Sequence, residues 1–358
     1  MQNKEIELKF GIEGNQCNLR QIFSKIGTVS DEQELHLDNT YFDTDKKELF
    51  AIRAGLRIRH ADNFSEQTLK VKGQNIGGLH QRSEFNLPID SSASVPNLKA
   101  FPKEAFPDDY NLDDLQKRLQ KVCRINFTRK LFNLNVLDST FEVAYDSGYI
   151  EVEGNKKYPL NELELELKET SVKEQDLLKL CSLVCNYLAQ TQLPLLLEPF
   201  SKMHRASLLQ QGKVISLNLA QFDSQNTTVK TLTNLVASFE QLYGYFIVSR
   251  DATVLALVNC VLHQLLEGLK MLKRKHLLAF VEGQKEPVDY KTDLKIIIRL
   301  LKDFYKTSSC FEKKLLKVSL NNNQKLVTYC VEKVRDAEKN TKLFLIPLKL
   351  RLLLSLLA

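Results

Sequence analysis

Several features that would assign a protein class directly are missing from this sequence. Its seven cysteines include no CxxC pair and no cluster with histidine at the spacing of a zinc site, which excludes the common zinc-binding folds. Because the cysteines are odd in number and scattered, we expect free thiols in the reducing cytoplasm rather than a disulfide framework. No apolar run follows a basic start at the N-terminus, so we also expect no signal peptide.

Long hydrophobic runs are also scarce. The most apolar stretch, residues 343–358, is too short to span a membrane as a helix and contains Pro347, Lys349 and Arg351. We therefore predict a buried or interface helix there and no membrane partner. The chain has 358 residues, of which 43% are hydrophobic, and these values are typical of a globular protein with two domains.

The charge is distributed unevenly along the chain. From Gln211 onward there are 23 lysines and arginines against 13 aspartates and glutamates, a net charge of +10. The preceding residues carry 27 basic and 31 acidic side chains, a net charge of −4. The C-terminal half is therefore predicted to meet a polyanion or an acidic partner.

Two kinds of periodicity divide the chain. In the first 200 residues, seven or eight segments alternate apolar and polar side chains, the pattern of antiparallel strands joined by hairpins. One hairpin turn is predicted at Ser147 and Gly148. Later, apolar residues recur with the period of helices. The sequence thus predicts an α+β protein, with a closed or nearly closed antiparallel β-barrel in residues 1–210 and an all-α domain in residues 225–358.

Charged residues follow one face of these strands, beginning with Glu5, Glu7 and Lys9 on the first strand. Later segments repeat the pattern with Arg57 and Arg59, Lys70 and Lys72, Arg82 and Glu84, Arg129, and Glu162, Glu164 and Glu166. Like charges about 7 Å apart on one face repel by roughly 2 kcal/mol, which is unusual for a passive surface. A solvated outer face and a charged barrel lumen both remain open. The lumen would suit a polyphosphate held by bases and divalent cations held by carboxylates.

The order of these motifs resembles that of the triphosphate tunnel metalloenzymes, also called CYTH proteins. The resemblance rests on the ExExK pattern of Glu5, Glu7 and Lys9, followed by further motifs in family order. These are LRIR at residues 56–59, KVK at 70–72, GGLHQRSE at 77–84, Arg129, ELELE at 162–166, and Ser201 with Lys202. The GGLHQR and ELELEL segments look most similar to those of bacterial inorganic triphosphatases. The resemblance covers about residues 1–210.

This resemblance implies an eight-stranded antiparallel barrel with a charged tunnel. In that tunnel, inorganic triphosphate would be hydrolysed to pyrophosphate and phosphate with Mg²⁺ or Mn²⁺ as cofactor. The implied metal ligands are Glu5, Glu7, Asp146, Glu162, Glu164 and Glu166. The implied substrate-binding residues are Lys9, Arg57, Arg59, Lys70, Lys72, Arg82, Arg129, Lys202 and Arg205. Lys9, Glu7 and Glu164 are expected to act in catalysis, with Lys9 positioning or deprotonating the attacking water.

The residues leave several alternatives open. Arg129 could pair structurally with a carboxylate, and His80 and His204 are interpreted as turn or surface residues rather than catalysts. The substrate could instead be thiamine triphosphate, a nucleoside triphosphate, or ATP that is cyclised to cyclic AMP. A non-catalytic module that binds polyphosphate or RNA belongs to a different class, which salt-sensitive and metal-independent binding would favour.

The C-terminal half resembles the helical CHAD domain that often follows such barrels and is thought to bind polyphosphate. The likeness lies in helical class, position and basic character, with residues 263–274 where a basic CHAD helix would fall. This segment departs from the family pattern at Leu266 and Met271, where basic residues are usual. Polyphosphate binding and a structural or partner-binding role both remain open for this half.

Overall fold

The computed structural model describes residues 4–14, 18–71, 74–76, 79–211, 229–275, 291–319 and 323–355. Its strands are β1 (Lys4–Ile12), β2 (Thr28–Asp43), β3 (Gly55–Ala61), β4 (Ser65–Lys70), β5 (Gln74–Ile76), β6 (Leu79–Pro88), β7 (Gln120–Val136), β8 (Ser139–Val152), β9 (Lys156–Thr170) and β10 (Leu195–Leu197). The helices among or just after them are α1 (Leu19–Phe23), α2 (Glu48–Ala51), α3 (Leu112–Arg118), α4 (Leu177–Gln190) and α5 (Lys202–Gln211). The later helices are α6 (Val229–Ser249), α7 (Ala252–Lys275), α8 (Lys291–Ser319), α9 (Gln324–Thr341) and α10 (Ile346–Ser355).

The strands form one antiparallel sheet that returns on itself. Its order runs β1-β9-β8-β7-β2-β3-β4-β6, and β1 pairs with both β9 and β6, so these eight strands make a ring of paired neighbours. Short strands β5 and β10 add to this ring at β6 and β1, which gives ten strands where the sequence predicts eight. The predicted α+β class is confirmed, because the helices α6 to α10 follow the sheet in the chain.

Strand β8 shows that one predicted turn is wrong. Ser147 and Gly148 lie inside a continuous strand rather than in a hairpin. Gly148 lies opposite Phe127 of β7, and a Cβ atom added to it would lie only 2.1 Å from the carbonyl oxygen of Asn126. The glycine is therefore needed for the close approach of two strands, and its turn propensity is not used.

Helix α5 fills one end of the ring. Its residues Met203 and Ala206 pack against Leu37, Ile125 and Phe127. Ile125 and Phe127 lie on the same face of β7 as Arg129, since side chains two residues apart share a strand face. The lumen is thus apolar and filled by the helix at this end, while the charged residues line the remainder.

The outer apolar face of β1 packs against α4 and the C-terminal residues of the chain. Leu8 and Phe10 are buried in one core cluster with Phe344 and Leu348. The rings of Phe10 and Phe344 meet edge to face, with centroids 5.3 Å apart. The predicted burial of the apolar stretch after residue 343 is confirmed for its described residues.

Helices α6 to α10 share a second core, which also contains Leu197 and Phe200 from the end of the barrel region. Within it, Leu255, Leu262 and Leu269 of α7 are fully buried. Among the described helices, the segment Ala252–Lys273 alone is long and apolar enough to cross a membrane, and 61% of its most apolar window is buried in the fold. That burial is typical of a central core helix. The predicted boundary between the two domains falls at residues outside the described ranges.

Candidate functional site

The inward faces of the strands bring most of the predicted site residues into one cavity of about 760 Å³. The register of β1 against β9 places Glu7 opposite Glu166 and Lys9 opposite Glu164. The predicted residues that line the cavity are Glu5, Glu7, Lys9, Arg57, Arg59, Lys70, Arg129, Glu164, Glu166 and Lys202. These residues therefore face a charged lumen, and the alternative in which they form a solvated outer face is excluded for them.

The remaining predicted residues divide into two groups. Asp146, Glu162 and Arg205 are not among the residues that line the cavity, and they contact Lys202 or one another. The side chains of Lys72 and Arg82 lie outside the described residues. The backbone of Arg82 pairs with that of Glu5, so its position on β6 next to β1 is known.

An acidic cluster around one ammonium group forms the most buried part of the site. Carboxylate oxygens of Asp146, Glu162 and Glu164 lie within 4.8 Å of one another. The Nζ atom of Lys202 lies 2.9 Å from Asp146 Oδ2 and 2.7 Å from Glu164 Oε1, and it also contacts Glu162. Arg129 donates hydrogen bonds of 2.7 Å to Asp146 and 2.6 Å to Glu164. The alternative in which Arg129 pairs with a carboxylate is therefore observed.

Charge pairing dominates the proton affinities in this cluster. Burial alone would lower the pKa of Lys202, but Asp146, Glu162 and Glu164 outweigh it and raise that pKa. Burial alone would raise the pKa of Glu164, but Lys202 and Arg129 hold it well below its usual range. The ammonium and the carboxylates therefore stabilise each other's charged forms.

Arg205 contacts this cluster from helix α5. It follows Lys202 on α5 by about one turn, and its guanidinium donates to Glu162 and, at 3.1 Å, to Glu198. Glu162 is fully buried and lies between the two basic side chains. The position of Arg205 allows it to orient Glu162, and its predicted role in substrate binding stays a prediction.

The opposite wall, formed by β3, β4 and β6, carries bases that pair with acids across the strands. Arg59 Nη1 lies 3.2 Å from Glu66 Oε1. Lys70 Nζ lies 2.7 Å from both Glu5 Oε1 and Glu84 Oε2. The described bases Arg57, Arg59 and Lys70 are thus each held by a carboxylate from another strand of this wall or from β1.

Three arginines crowd the space between the two walls. Burial lowers the pKa of Arg59 to about 10, and the nearby guanidinium groups of Arg57 and Arg129 lower it further, against the attraction of Glu66. Burial is the main cause of this lower pKa, and the two neighbouring guanidinium groups add positive charge around Arg59. An anion bound near Arg59 would offset the positive charge of these guanidinium groups.

The cavity becomes more exposed along β9. The side chains of Glu166 and Lys168 are 29% and 39% exposed, whereas that of Glu162 is fully buried. Lys168 Nζ lies 2.8 Å from Glu166 and 3.4 Å from Glu142. Burial raises the pKa of Glu166 in spite of Lys168, and the carboxylates of Glu5 and Glu142 add to this rise. This end of the cavity therefore holds an excess of carboxylate charge.

Lys9 is the most buried base among the described cavity residues, with 1% of its surface exposed. Its Nζ atom donates a hydrogen bond to the carbonyl oxygen of Phe200. Burial lowers the pKa of Lys9, although Glu162 and Glu7 oppose the effect. A lysine with a lowered pKa can accept a proton more readily than an exposed lysine, so the predicted role of Lys9 is chemically feasible.

The carboxylates offer hard oxygen ligands of the kind that Mg²⁺ and Mn²⁺ prefer. Asp146, Glu162 and Glu164 were predicted to be among these ligands, and their carboxylate oxygens lie close enough together to hold a metal ion, although the ammonium of Lys202 contacts all three. Glu7 and Glu166 face each other across the paired strands nearer the exposed end of β9. Two groups of carboxylates could therefore hold a divalent cation, namely the cluster of Asp146, Glu162 and Glu164 and the pair of Glu7 and Glu166.

The sequence prediction missed several cavity residues, namely Glu66, Glu142, Lys168, His204, Glu240 and Arg351. Glu66 and Lys168 continue the alternation of β4 and β9 by one further step, so a longer strand window would have included them. Glu240 and Arg351 come from α6 and α10, and periodicity within a helix does not indicate which barrel residues it will meet.

His204 also differs from its prediction as a turn or surface residue. It lies on α5, and its ring stacks on that of Phe200 with centroids 4.3 Å apart. Burial lowers the pKa of His204 to about 4, and Lys9 and Arg53 lower it further. The imidazole of His204 is therefore neutral and lies half-buried at the cavity wall.

Comparison with known proteins agrees with these features. The CYTH domain matches residues 3–185, just over half of the chain. An inorganic triphosphatase from Haemophilus influenzae is 34% identical over 175 residues, which cover 48% of this chain and 47% of that protein. The chain therefore spans about half the length of this curated relative.

Two solved structures show weaker likenesses. A proposed adenylyl cyclase from Hippeastrum, described as having a dominant triphosphatase activity, aligns over 60% of this chain and 99% of its own at 19% identity and a TM-score of 0.43. A protein from Pyrococcus horikoshii aligns over 58% of this chain and 99% of its own at 19% identity and a TM-score of 0.35. Because both TM-scores are low, the assignment rests on the domain match over residues 3–185. By that match, the chain belongs to the CYTH domain family.

Proposed function

We propose that this protein hydrolyses inorganic triphosphate to pyrophosphate and phosphate in the cavity of its barrel. The observation that carries the proposal is that Arg57, Arg59 and Arg129 line one buried cavity together with Glu7 and Glu164. Clustered guanidinium groups suit phosphoryl oxygens, and nearby carboxylates suit the divalent cations that accompany polyphosphates. The similarity to an inorganic triphosphatase from Haemophilus influenzae supports this choice of substrate.

Substrate binding exchanges one set of charge pairs for another. Before binding, Arg59 contacts Glu66 at 3.2 Å and Lys70 contacts Glu84 at 2.7 Å. A triphosphate offers these bases several charged oxygens, and its charge also balances the crowded guanidinium groups around Arg59. The bases are already held toward the cavity by their carboxylates, so little ordering is needed when the substrate enters.

Lys9 is the proposed base for the attacking water. Its hydrogen bond to the Phe200 carbonyl fixes the direction of the amine, and burial lowers its pKa, which increases the neutral fraction. The neutral amine can accept a proton from a water molecule held in the cavity. Lys202, whose pKa the surrounding carboxylates raise against the effect of burial, keeps its proton and contributes fixed positive charge.

Glu5, Glu7, Glu164 and Glu166 are the proposed ligands of Mg²⁺ or Mn²⁺, since they lie on the paired strands β1 and β9. When bound, the ion would neutralise phosphoryl charge and lower the pKa of a coordinated water. Asp146 and Glu162 pair with Lys202 and Arg205 and, together with Glu164, form a second carboxylate group that could hold the ion.

Phosphate release from inorganic triphosphate tests this proposal. The full chain is assayed with Mg²⁺, with Mn²⁺ and with EDTA, beside ATP, thiamine triphosphate and pyrophosphate. Metal-dependent hydrolysis of triphosphate with the highest kcat/KM is the expected result. A higher kcat/KM for ATP or thiamine triphosphate would assign another substrate. A folded protein that binds triphosphate and hydrolyses none of these compounds would be a polyanion-binding module.

A matched pair of variants tests the carboxylate assignment. Glu7 is 3% exposed and lines the cavity, whereas Glu151 lies elsewhere on β8 and contacts Lys157 at 3.9 Å. We expect Glu7→Gln to remove most of the turnover while the protein remains folded, and Glu151→Gln to retain it. Equal turnover in the two variants would contradict the assignment of Glu7 to the metal.

A further inference from the structure

Part of the cavity wall comes from outside the barrel. Glu240 of α6 and Arg351 of α10 line the same cavity as Lys9 and Arg57. Both belong to the helical part of the chain, which begins at Val229 in the described residues. The helical part therefore reaches the site that the barrel encloses.

The two helical side chains form a buried ion pair. Arg351 Nη2 lies 2.9 Å from Glu240 Oε2, and the side chains are only 12% and 5% exposed. This pair repeats the arrangement of Arg59 with Glu66 in the barrel. The Nε atom of Arg351 is buried and has no hydrogen-bond partner within the described part of the chain. A buried donor without an acceptor is unfavourable, so Glu240 does not satisfy this guanidinium completely.

Tight packing fixes α6 relative to the barrel. A Cβ atom added to Gly244 would lie 2.6 Å from a ring carbon of Phe200 and 2.7 Å from Cγ of Pro199, so the helix backbone lies directly against this segment. The carbonyl oxygen of the same Phe200 accepts the hydrogen bond from Lys9. Glu240, one turn before Gly244, is therefore held at a defined position relative to Lys9.

We propose that Arg351 is a substrate-binding residue and that the C-terminal helices complete the anion site of the barrel. This inference rests on the proposed function, because it takes the bound anion to be inorganic triphosphate. Glu240 holds the guanidinium of Arg351 toward the cavity before the substrate enters, as Glu66 does for Arg59. The barrel and the helical part then form one binding unit, in which the last helix contributes a charge that the barrel strands lack.

A purely structural ion pair between α6 and α10 is the competing explanation. It predicts that loss of Arg351 lowers stability and leaves triphosphate affinity unchanged. Lys339 provides a matched control, because it joins α9 to Glu13 near the end of β1 and lies outside the cavity lining. Removing Lys339 breaks a contact between the helical part and the barrel without removing charge from the site.

The experiment compares Arg351→Met, Arg351→Lys and Lys339→Met in the full chain. Calorimetry without divalent metal gives the Kd for inorganic triphosphate, steady-state assays give kcat and KM, and thermal unfolding reports stability. We expect Arg351→Met to raise Kd and KM by about 10- to 100-fold, the loss typical of a charge-assisted hydrogen bond, with a smaller change in kcat. Arg351→Lys should recover part of the affinity, and Lys339→Met should match the wild type.

The binding measurement separates this inference from the proposed function. An unchanged Kd in Arg351→Met, with or without a lower unfolding temperature, overturns the role of Arg351. Wild-type protein that binds triphosphate without hydrolysing it contradicts the proposed reaction alone, and wild-type protein that does neither contradicts both. If Arg351→Met does not fold, Glu240→Gln decides the question. Glutamine keeps an acceptor that can hold the guanidinium toward the cavity and removes the competing charge, so the Kd for triphosphate should fall, and an unchanged Kd would overturn the proposal.

Discussion

Replacing Lys202 with methionine tests whether the buried acidic cluster depends on its internal ammonium group. Methionine keeps most of the side-chain volume and removes the charge. In the native site, Lys202 Nζ lies 2.9 Å from Asp146 and 2.7 Å from Glu164, and it also contacts Glu162. The substitution therefore leaves three neighbouring carboxylates with less compensation, and Arg129 and Arg205 as their remaining basic partners.

The size of the effect follows from two opposing contributions. One contact at 2.7 Å is worth about 6 kcal/mol at an effective dielectric constant near 20. Burying the ammonium costs several kcal/mol, which offsets part of this attraction. Removing one partner of a buried pair typically costs about 3–5 kcal/mol, since the other charge is left without compensation. We expect Lys202→Met to lower the free energy of unfolding by about this amount at pH 7.

Urea unfolding of Lys202→Met beside Lys157→Met measures this effect. Lys157 is 54% exposed and contacts Glu151 at 3.9 Å, so its loss should cost less than about 1 kcal/mol. The pKa of Glu164 is lowered by Lys202 and Arg129 against burial, so its stabilising contribution is present above the unfolded value of 4.5 and is lost as the pH falls. The difference between wild type and Lys202→Met should therefore shrink in acid. If Lys202→Met and Lys157→Met lost similar amounts of unfolding free energy at pH 7, the acidic cluster would not depend on the Lys202 ammonium.

Three further predictions concern neighbouring features. Lys9→Met should lower turnover by about 10²- to 10⁴-fold and abolish the rise of kcat with pH, while calorimetry shows retained triphosphate binding. Gly244→Ala should lower the unfolding free energy in urea by about 1–3 kcal/mol and reduce kcat, because its Cβ atom displaces Phe200. Burial raises the pKa of Glu338 to about 7, so the folded state binds the proton more tightly than the unfolded state. Its contribution to stability should fall by about 3 kcal/mol as the pH rises from 4.5 through 7, and urea unfolding of Glu338→Gln should lack this dependence.

The barrel could be predicted from sequence because its signal is local. Alternation within β1 and β9 identifies the faces that carry Glu7 and Glu164, whichever strands pair with them. The order of motifs indicated which strands pair and which face is inside, because the resemblance to a known family implies the strand order of that family. Alternation by itself left the outer face and the lumen as equal alternatives.

The sorting of charge by sign has a cause that the sequence alone does not reveal. Arg59 of β3 lies opposite Glu66 of β4, and Lys9 of β1 lies opposite Glu164 of β9. Repulsion along one strand is therefore offset by attraction across the sheet. Strand neighbours are a property of the folded chain, so the sequence could indicate only that the repeated like charges needed compensation.

Turns were predicted less well than strands, because tertiary contacts override turn propensity. Gly148 suggested a turn and instead allows β8 to approach β7. The turn between these strands lies at Leu137 and Asp138, which adopt φ values of 51° and 53°. Leucine rarely occupies this left-handed region, so composition gave little indication of a turn at this position.

The mixture of acids and bases in the cavity links the stability of the barrel to its proposed chemistry. A lumen lined only by Arg57, Arg59 and Arg129 would bury uncompensated positive charge whenever the substrate is absent, at a cost of several kcal/mol per ion. Carboxylates such as Glu66 and Glu164 remove that cost, and they also hold the bases in the positions that a polyanion needs. When triphosphate enters, its charge can replace theirs, and carboxylates on β1 and β9 become available to a divalent cation. The same requirement explains why Arg351 reaches the cavity together with Glu240, since a lone arginine from the helical part would destabilise the packing that brings it there.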